Sequence, residues 1–149
     1  MFVLAIFSIL AVVVVPKYRS VTDYYHLQSS VQTMTSFIHY TKQRALDEHV
    51  NNYIGITKSS STPANTVQVL NPSFLAVQSK LLDAGVTLLN ASGSNTFDNS
   101  GMLYVYFNNR GYLVTDPPSD NASFTLKDSS NRTVKINIDL LGNVSTAWN

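Results

Sequence analysis

The first fifteen residues, MFVLAIFSILAVVVV, carry no charge and a single hydroxyl, Ser8. Pro16, Lys17, Tyr18 and Arg19 end the run, and a helical pattern follows. Leu27, Val31, Met34, Ile38 and Ala45 recur at helical spacing with Thr41 in the gap, and Val21 and Tyr24 extend this stripe toward Pro16. Asp23, Gln28, Lys42, Gln43, Asp47 and Glu48 fall on other faces. A single helix ending near Asn51-Asn52 would be roughly 75 Å long at 1.5 Å per residue. A globular domain made from the remainder is much smaller, so about half the helix must protrude. The protruding half is the apolar one, with Phe2, Leu4, Ile6, Ile9, Leu10, Val12, Val13, Val14 and Val15, and it cannot stay bare in water.

Such a run is shorter than the ~20 residues that cross a bilayer and closer to a signal-peptide core. It has no basic stretch before it, and Val14-Val15-Pro16-Lys17 is a poor peptidase site, so the reading is a retained segment that inserts in a membrane or a helical core. Pro16 cannot donate a helix hydrogen bond and its ring disturbs the preceding turn, which marks a hinge between two helical halves. The chain thus divides into residues 1–22, a membrane or filament-core helix; 23–52, an amphipathic helix docked on a domain; and 53–149, a globular domain rich in β-structure.

Beyond the helix, short alternating segments are separated by polar turns. Tyr53 to Thr57, Thr66 to Leu70, Val86 to Leu89, Leu103 to Phe107, Tyr112 to Thr115, Ser123 to Lys127, Thr133 to Asp139 and Asn143 to Trp148 read as strands. Asn71-Pro72 has the form of a helix start, and Phe74, Val77 and Leu81 the spacing of one helix face, so a short helix ending at Gly85 is expected there. A helix followed by many short strands gives an α+β fold, with the long helix packed on small antiparallel sheets. Val105, Phe107, Leu113, Phe124, Leu126, Val134, Ile136 and Ile138 are the expected inward sheet residues, with the helix stripe from Tyr24 to Ala45 as their partner.

The uncharged N-terminal helix, ending Ala-Val-Val-Val-Val-Pro-Lys-Tyr at Tyr18 and running on into an amphipathic helix, resembles type IV pilins and type II secretion pseudopilins. Toward the C-terminus, Phe107-x-x-x-Gly111, a strand with Thr125-Leu126, Val134-Lys-Ile-Asn-Ile138 and then Gly142 are similar to the GspH/FimT-type branch of pilin-like proteins. The resemblance implies a structural subunit of an extracellular type IV pilus-like filament, a helical homopolymer packed with other pilins through its N-terminal helix. It implies residence in the inner membrane before assembly, contact with the inner-membrane assembly machinery, and an extracellular or periplasm-spanning filament afterwards. The alternatives it offers are a minor pseudopilin of a type II secretion system and a DNA-uptake pilin. The family's basic leader, cleavage site, phenylalanine and glutamate would align upstream of Met1, and an in-frame leader there is the expectation.

Chemistry is sparse. His26, His39 and His49 do not share a helix face, and no HExxH, GxSxG, phosphate loop or Cys/His cluster occurs. Asp47-Glu48-His49 are adjacent on a helix and point different ways. The chain has no cysteine, so thiol chemistry and disulfides are excluded. No enzymatic activity and no cofactor are expected. Asp116 and Asp120, with Asn121, are the one oxygen set for a hard cation such as calcium, and they read more simply as a turn around Pro117-Pro118. A net charge of +1 with 13% charged residues leaves no footprint for nucleic acid. The DNA-uptake relatives share a basic Gly-Arg-x-Arg tail, where this chain has Gly142-Asn-Val-Ser145. Arg110, Lys127, Arg132 and Lys135 are the remaining scattered cations of the domain. Asn90, Asn121, Asn131 and Asn143 stand in Asn-x-Ser/Thr sequons, which arise by chance in a chain this rich in those residues.

Overall fold

The computed structural model describes residues 2–57, 64–93, 95–96, 102–115 and 119–149; the side chains of residues 2–17 and of 95 and 96 lie outside the described set. Helix α1 spans Phe2–Glu48, 47 residues. Its docked face is the apolar stripe: Leu27, Met34, Ile38 and Ala45 are fully buried and Val31 nearly so. Each large side chain of that stripe is worth about 1.5–3 kcal/mol in area removed from water. Thr41 closes the gap in the stripe at no polar cost, because its hydroxyl donates to the Phe37 carbonyl at 2.7 Å. Tyr24 and Val21 are 39% and 53% exposed, so the buried stripe begins at Leu27. The helix ends when His49 takes φ 55, the left-handed conformation that breaks the ladder.

Among the described residues ten strands follow: β1 Asn52–Thr57, β2 Thr66–Leu70, β3 Ala76–Leu81, β4 Thr87–Ser92, β5 Asn95–Thr96, β6 Met102–Phe107, β7 Leu113–Val114, β8 Asn121–Lys127, β9 Thr133–Asp139 and β10 Val144–Trp148. They form two antiparallel sheets. Sheet A runs β3-β2-β1-β6-β5 with β7 also on β6; sheet B runs β10-β9-β8-β4. The helix and both sheets share one core, in which Ile54, Val67, Val105, Phe107, Phe124, Leu126, Val134, Ile136 and Ile138 are fully buried and Leu113 nearly so. The alternation is cleanest in β9, where Val134, Ile136 and Ile138 point in while Lys135 and Asp139 are exposed. This is the α+β arrangement of a long helix on antiparallel sheets.

One expected element is wrong. Residues 76–81 are a strand, β3, rather than part of a short helix. Asn71 does not open a helix; its Oδ1 accepts from the backbone N–H groups of Ser73 and Leu75 at 3.0 and 2.9 Å, closing a tight loop. Phe74 inside that loop has φ 57. The chain therefore reverses, and β3 pairs with β2 from Leu81↔Thr66 to Ala76↔Leu70. Leu81 and Val77, expected to line one helix face with Phe74, are 62% and 43% exposed.

Candidate assembly surface

The two sheets flank α1 on either side and leave one strip of it open. Tyr18, Val21 and Tyr25 are 73%, 53% and 63% exposed, and Gln32, Ser36, His39 and Gln43 continue the same helical phase as exposed residues. From Tyr18 to Gln43 this strip is about 38 Å long at 1.5 Å per residue. Its ridge carries no acidic, lysine or arginine side chain until Asp47. Tyr18, next to the apolar half, is the residue type found at apolar–polar boundaries.

Grooves run along both sides of this ridge. One, of about 400 Å³, lies between α1 and β3 and is lined by Ser29, Gln32, Thr33, Ser36, Phe37, Gln78 and Lys80. The Lys80 ammonium crosses it to donate to Thr33 Oγ1 at 2.9 Å. The other, of about 480 Å³, lies between α1 and β10 and is lined by Gln28, Val31, Gln32, Thr35, Ser36, Thr146 and Trp148. Gln32 and Ser36 belong to both.

Where α1 leaves the domain, the turn between β8 and β9 holds it. Asp128, only 3% exposed, accepts from Arg132 Nε at 2.7 Å and from two backbone N–H groups of the turn at 2.9 Å. That bond aims the guanidinium at the helix, where Nη2 donates to the Ser20 carbonyl at 2.7 Å and the carbon sits 5.5 Å over the Tyr24 ring. The Ser130 hydroxyl donates to Asp23 Oδ2 at 2.9 Å. Hydrogen bonds from Ser129 and Ser130 hold the Asp23 carboxyl below the usual carboxylate range. Tyr24 also meets Trp148 of β10 at 5.5 Å between ring centres. The sequence named Tyr24 in the docking stripe and Arg132 among the scattered cations, but not their meeting, because the helix and the turn lie more than a hundred residues apart.

The other candidates disperse. The apolar half named from the sequence (Phe2, Leu4, Ile6, Ile9, Leu10, Val12, Val13, Val14, Val15) and the hinge residue Pro16 have side chains outside the described residues; their backbone belongs to α1. Among the described residues no helix is long and apolar enough to cross a membrane. Asp116 lies outside the described residues, and Asp120 borders a groove of about 500 Å³ with Thr115, Ser119 and Leu140. No group of three potential metal ligands occurs among the described residues. Asp47 and Glu48 accept from their own helix neighbours Gln43 and Arg44 at 2.9 and 2.7 Å. Arg132 is committed to Asp128 and Ser20, while Lys127 and Lys135 lie on the outer face of sheet B with Thr125 and Thr133 as cross-strand partners.

On the outer face of sheet A, Tyr53, Tyr104 and Tyr106 stand side by side with centroid distances of 5.8 and 5.1 Å from Tyr53, and Phe74 covers Tyr53 at 4.5 Å. Burial, then the neighbouring Tyr106 and Tyr104, pushes the Tyr53 phenol up. This is a secondary apolar cluster that packs the β2–β3 loop onto the sheet.

A single long helix, half docked and half beyond two small antiparallel sheets, is the pilin and pseudopilin fold. No family model and no curated protein matches the sequence. Among solved structures, the chain is similar to the type IV minor pilin FimU of Pseudomonas aeruginosa strain PAO1. One crystal form shares 14% identity over 85% of this chain and 91% of that one, with a TM-score of 0.59. A second form gives 14%, 81%, 92% and 0.58. The minor pseudopilin EpsH from the Type 2 Secretion System of Vibrio cholerae is 8% identical, covering 83% of this chain and 97% of that one, at a TM-score of 0.60. At these identities the likeness is one of fold.

Proposed function

We propose that the chain is a structural subunit of an extracellular type IV pilus-like filament, polymerising through α1 and performing no catalysis. The observation that carries this reading is the open ridge from Tyr18 to Gln43. A surface helix normally shows charge on its solvent side, whereas this ridge is aromatic near Tyr18 and carries no acidic, lysine or arginine side chain from there to Gln43. It suits packing against neighbouring helices better than lasting exposure. The uncharged first fifteen residues suit a bilayer and a bundle of like helices equally, so passage between the two changes apolar burial little. The subunit would wait in the inner membrane, be drawn out by assembly machinery, and pack with its own copies and other pilins in a filament outside that membrane.

A second reading is a minor subunit of a pilus or of a type II secretion pseudopilus. The solved neighbours favour it, since FimU and EpsH are both minor subunits.

Expression with an assembly system and electron microscopy test the proposal. A lysine at the centre of an apolar layer costs about 2.5–3.5 kcal/mol on insertion scales, so Val13→Lys is expected to abolish filaments. Gln32→Glu with Ser36→Glu, on the ridge, is expected to reduce them at least tenfold while the circular dichroism of the domain stays unchanged. Deleting residues 1–19 should leave a folded domain that forms none. Filaments at normal abundance from the truncated domain would remove α1 as the polymer core.

A further inference from the structure

Sheet B ends on β10. β10 pairs with β9 in unbroken register from Val144↔Ile138 to Trp148↔Val134, and among the described residues nothing pairs with its other edge. Thr133 and Asn149 exchange two backbone hydrogen bonds, 3.2 and 2.9 Å long, and these fix the phase of the strand. Asn149, Ala147 and Ser145 turn their N–H and C=O groups toward β9; Trp148, Thr146 and Val144 turn theirs outward.

The other edges carry the features that discourage strand addition. β3 has Lys80 and a bulge opposite Leu70. β4 has a register shift between Leu88 and Asn90. β5 and β7 are two residues long. β10, Val-Ser-Thr-Ala-Trp, has no charge, no proline and no bulge. Its outward row borders the 480 Å³ groove, whose lining residues on both walls are uncharged. Trp148, 44% exposed, stands at this edge as an aromatic anchor.

We infer that β10 is a self-pairing edge, joining antiparallel to β10 of a second copy about a two-fold axis at Thr146. The sequence of the strand selects this partner and register. Centred on Thr146, the pairing sets Thr146 against its own counterpart and Trp148 against the counterpart of Val144. Thr–Thr and aromatic–β-branched pairs are both favourable across strands. All three outward residues are used, and each opposed pair exchanges two hydrogen bonds. A shift of two residues loses a pair either way: one direction sets Trp148 against Gly142, outside the strand, and the other leaves Val144 without a partner in it. No like charges meet, because the strand has none. The two-fold axis makes the α1 helices run in opposite directions, so the contact joins copies that are not neighbours in one parallel filament; it stands independently of the filament reading.

The absence of cysteine makes the test clean. Hydrogen-bonded antiparallel pairs bring Cα atoms to about 5.5 Å, inside the roughly 4.4–6.8 Å that a disulfide spans. The full chain in detergent carrying Thr146→Cys is therefore expected to oxidise to a disulfide dimer. Ser145→Cys, facing the counterpart of Ala147, and Leu89→Cys, on the β4 edge, should give at least tenfold less dimer at the same concentration. Mixing Ser145→Cys with Ala147→Cys chains should restore cross-linking as a heterodimer. Cross-linking of Thr146→Cys no greater than that of Ser145→Cys or Leu89→Cys overturns the proposal. So does a dimer of the cysteine-free chain, measured by sedimentation, that persists in Thr146→Lys.

Discussion

Arg132 Nη2 reaches the carbonyl oxygen of Ser20 at 2.7 Å, joining the β8–β9 turn to α1. The same guanidinium answers the Asp128 carboxylate through Nε. Arg132→Ala leaves that nearly buried carboxylate with backbone donors alone. A cost of about 1–3 kcal/mol is expected, read as a lower urea midpoint. Amide exchange should quicken around residues 20–24 with little change at Met34 or Ile38. Uniform loss of protection along α1 would show that Arg132 supports the whole core rather than the helix exit.

Acid should loosen the turn after β9. Hydrogen bonds from the Asn143 side chain and backbone hold the Asp139 carboxyl below its ordinary value. A depressed carboxylate stabilises the fold above its unfolded pKa and loses that contribution as pH falls through the folded value. The wild-type urea midpoint should therefore drop below about pH 4, and Asp139→Asn should drop less between pH 7 and 3. Parallel curves for the two proteins would refute this account.

Phe74 offers a comparison of two truncations. Both Phe74→Ala and Phe74→Gly remove the ring over Tyr53, but alanine keeps a Cβ at φ 57 while glycine tolerates that angle. The glycine variant is expected to be the more stable by about 1 kcal/mol in chemical denaturation. The reverse order would mean the backbone at residue 74 has moved.

Pro16 is best examined in the assembled state. Helix α1 runs from Phe2 to Glu48 in the isolated chain. In a filament, where globular domains crowd around a core of helices, the helix is expected to bend or unwind between Leu10 and Arg19 and to stay regular on both sides, since proline weakens the preceding turn. A reconstruction with an unbroken hydrogen-bond ladder there, apart from the bond Pro16 cannot donate, would dispose of the hinge.

The fold was legible wherever a single periodicity spoke without competition. Leu27, Val31, Met34, Ile38 and Ala45 announce their buried face through spacing, and β9 does so through strict alternation. Residues 71–81 misled because Asn71-Pro72 serves a tight loop as well as a helix start, and the partner that decides, β2, is a tertiary one. The left-handed residue ending α1 is His49 rather than an asparagine, again a choice made by where β1 must begin. Of the open helix ridge, the aromatic character at Tyr18 and Tyr25 could be read from the chain. The grooves beside it could not, since they exist only when β3 and β10 arrive on either side of the helix.

The hold that Arg132 and Asp128 keep on Ser20 also turns α1 into a lever. From Ser20, where the clamp holds it, to Phe2 the helix extends about 27 Å at 1.5 Å per residue. A tilt of about 5° at the clamp then displaces the far end by roughly 2.4 Å, nearly half of the 5.4 Å helical pitch. Small adjustments in the β8–β9 turn thus reach the tip of the molecule as movements large enough to change which residues meet.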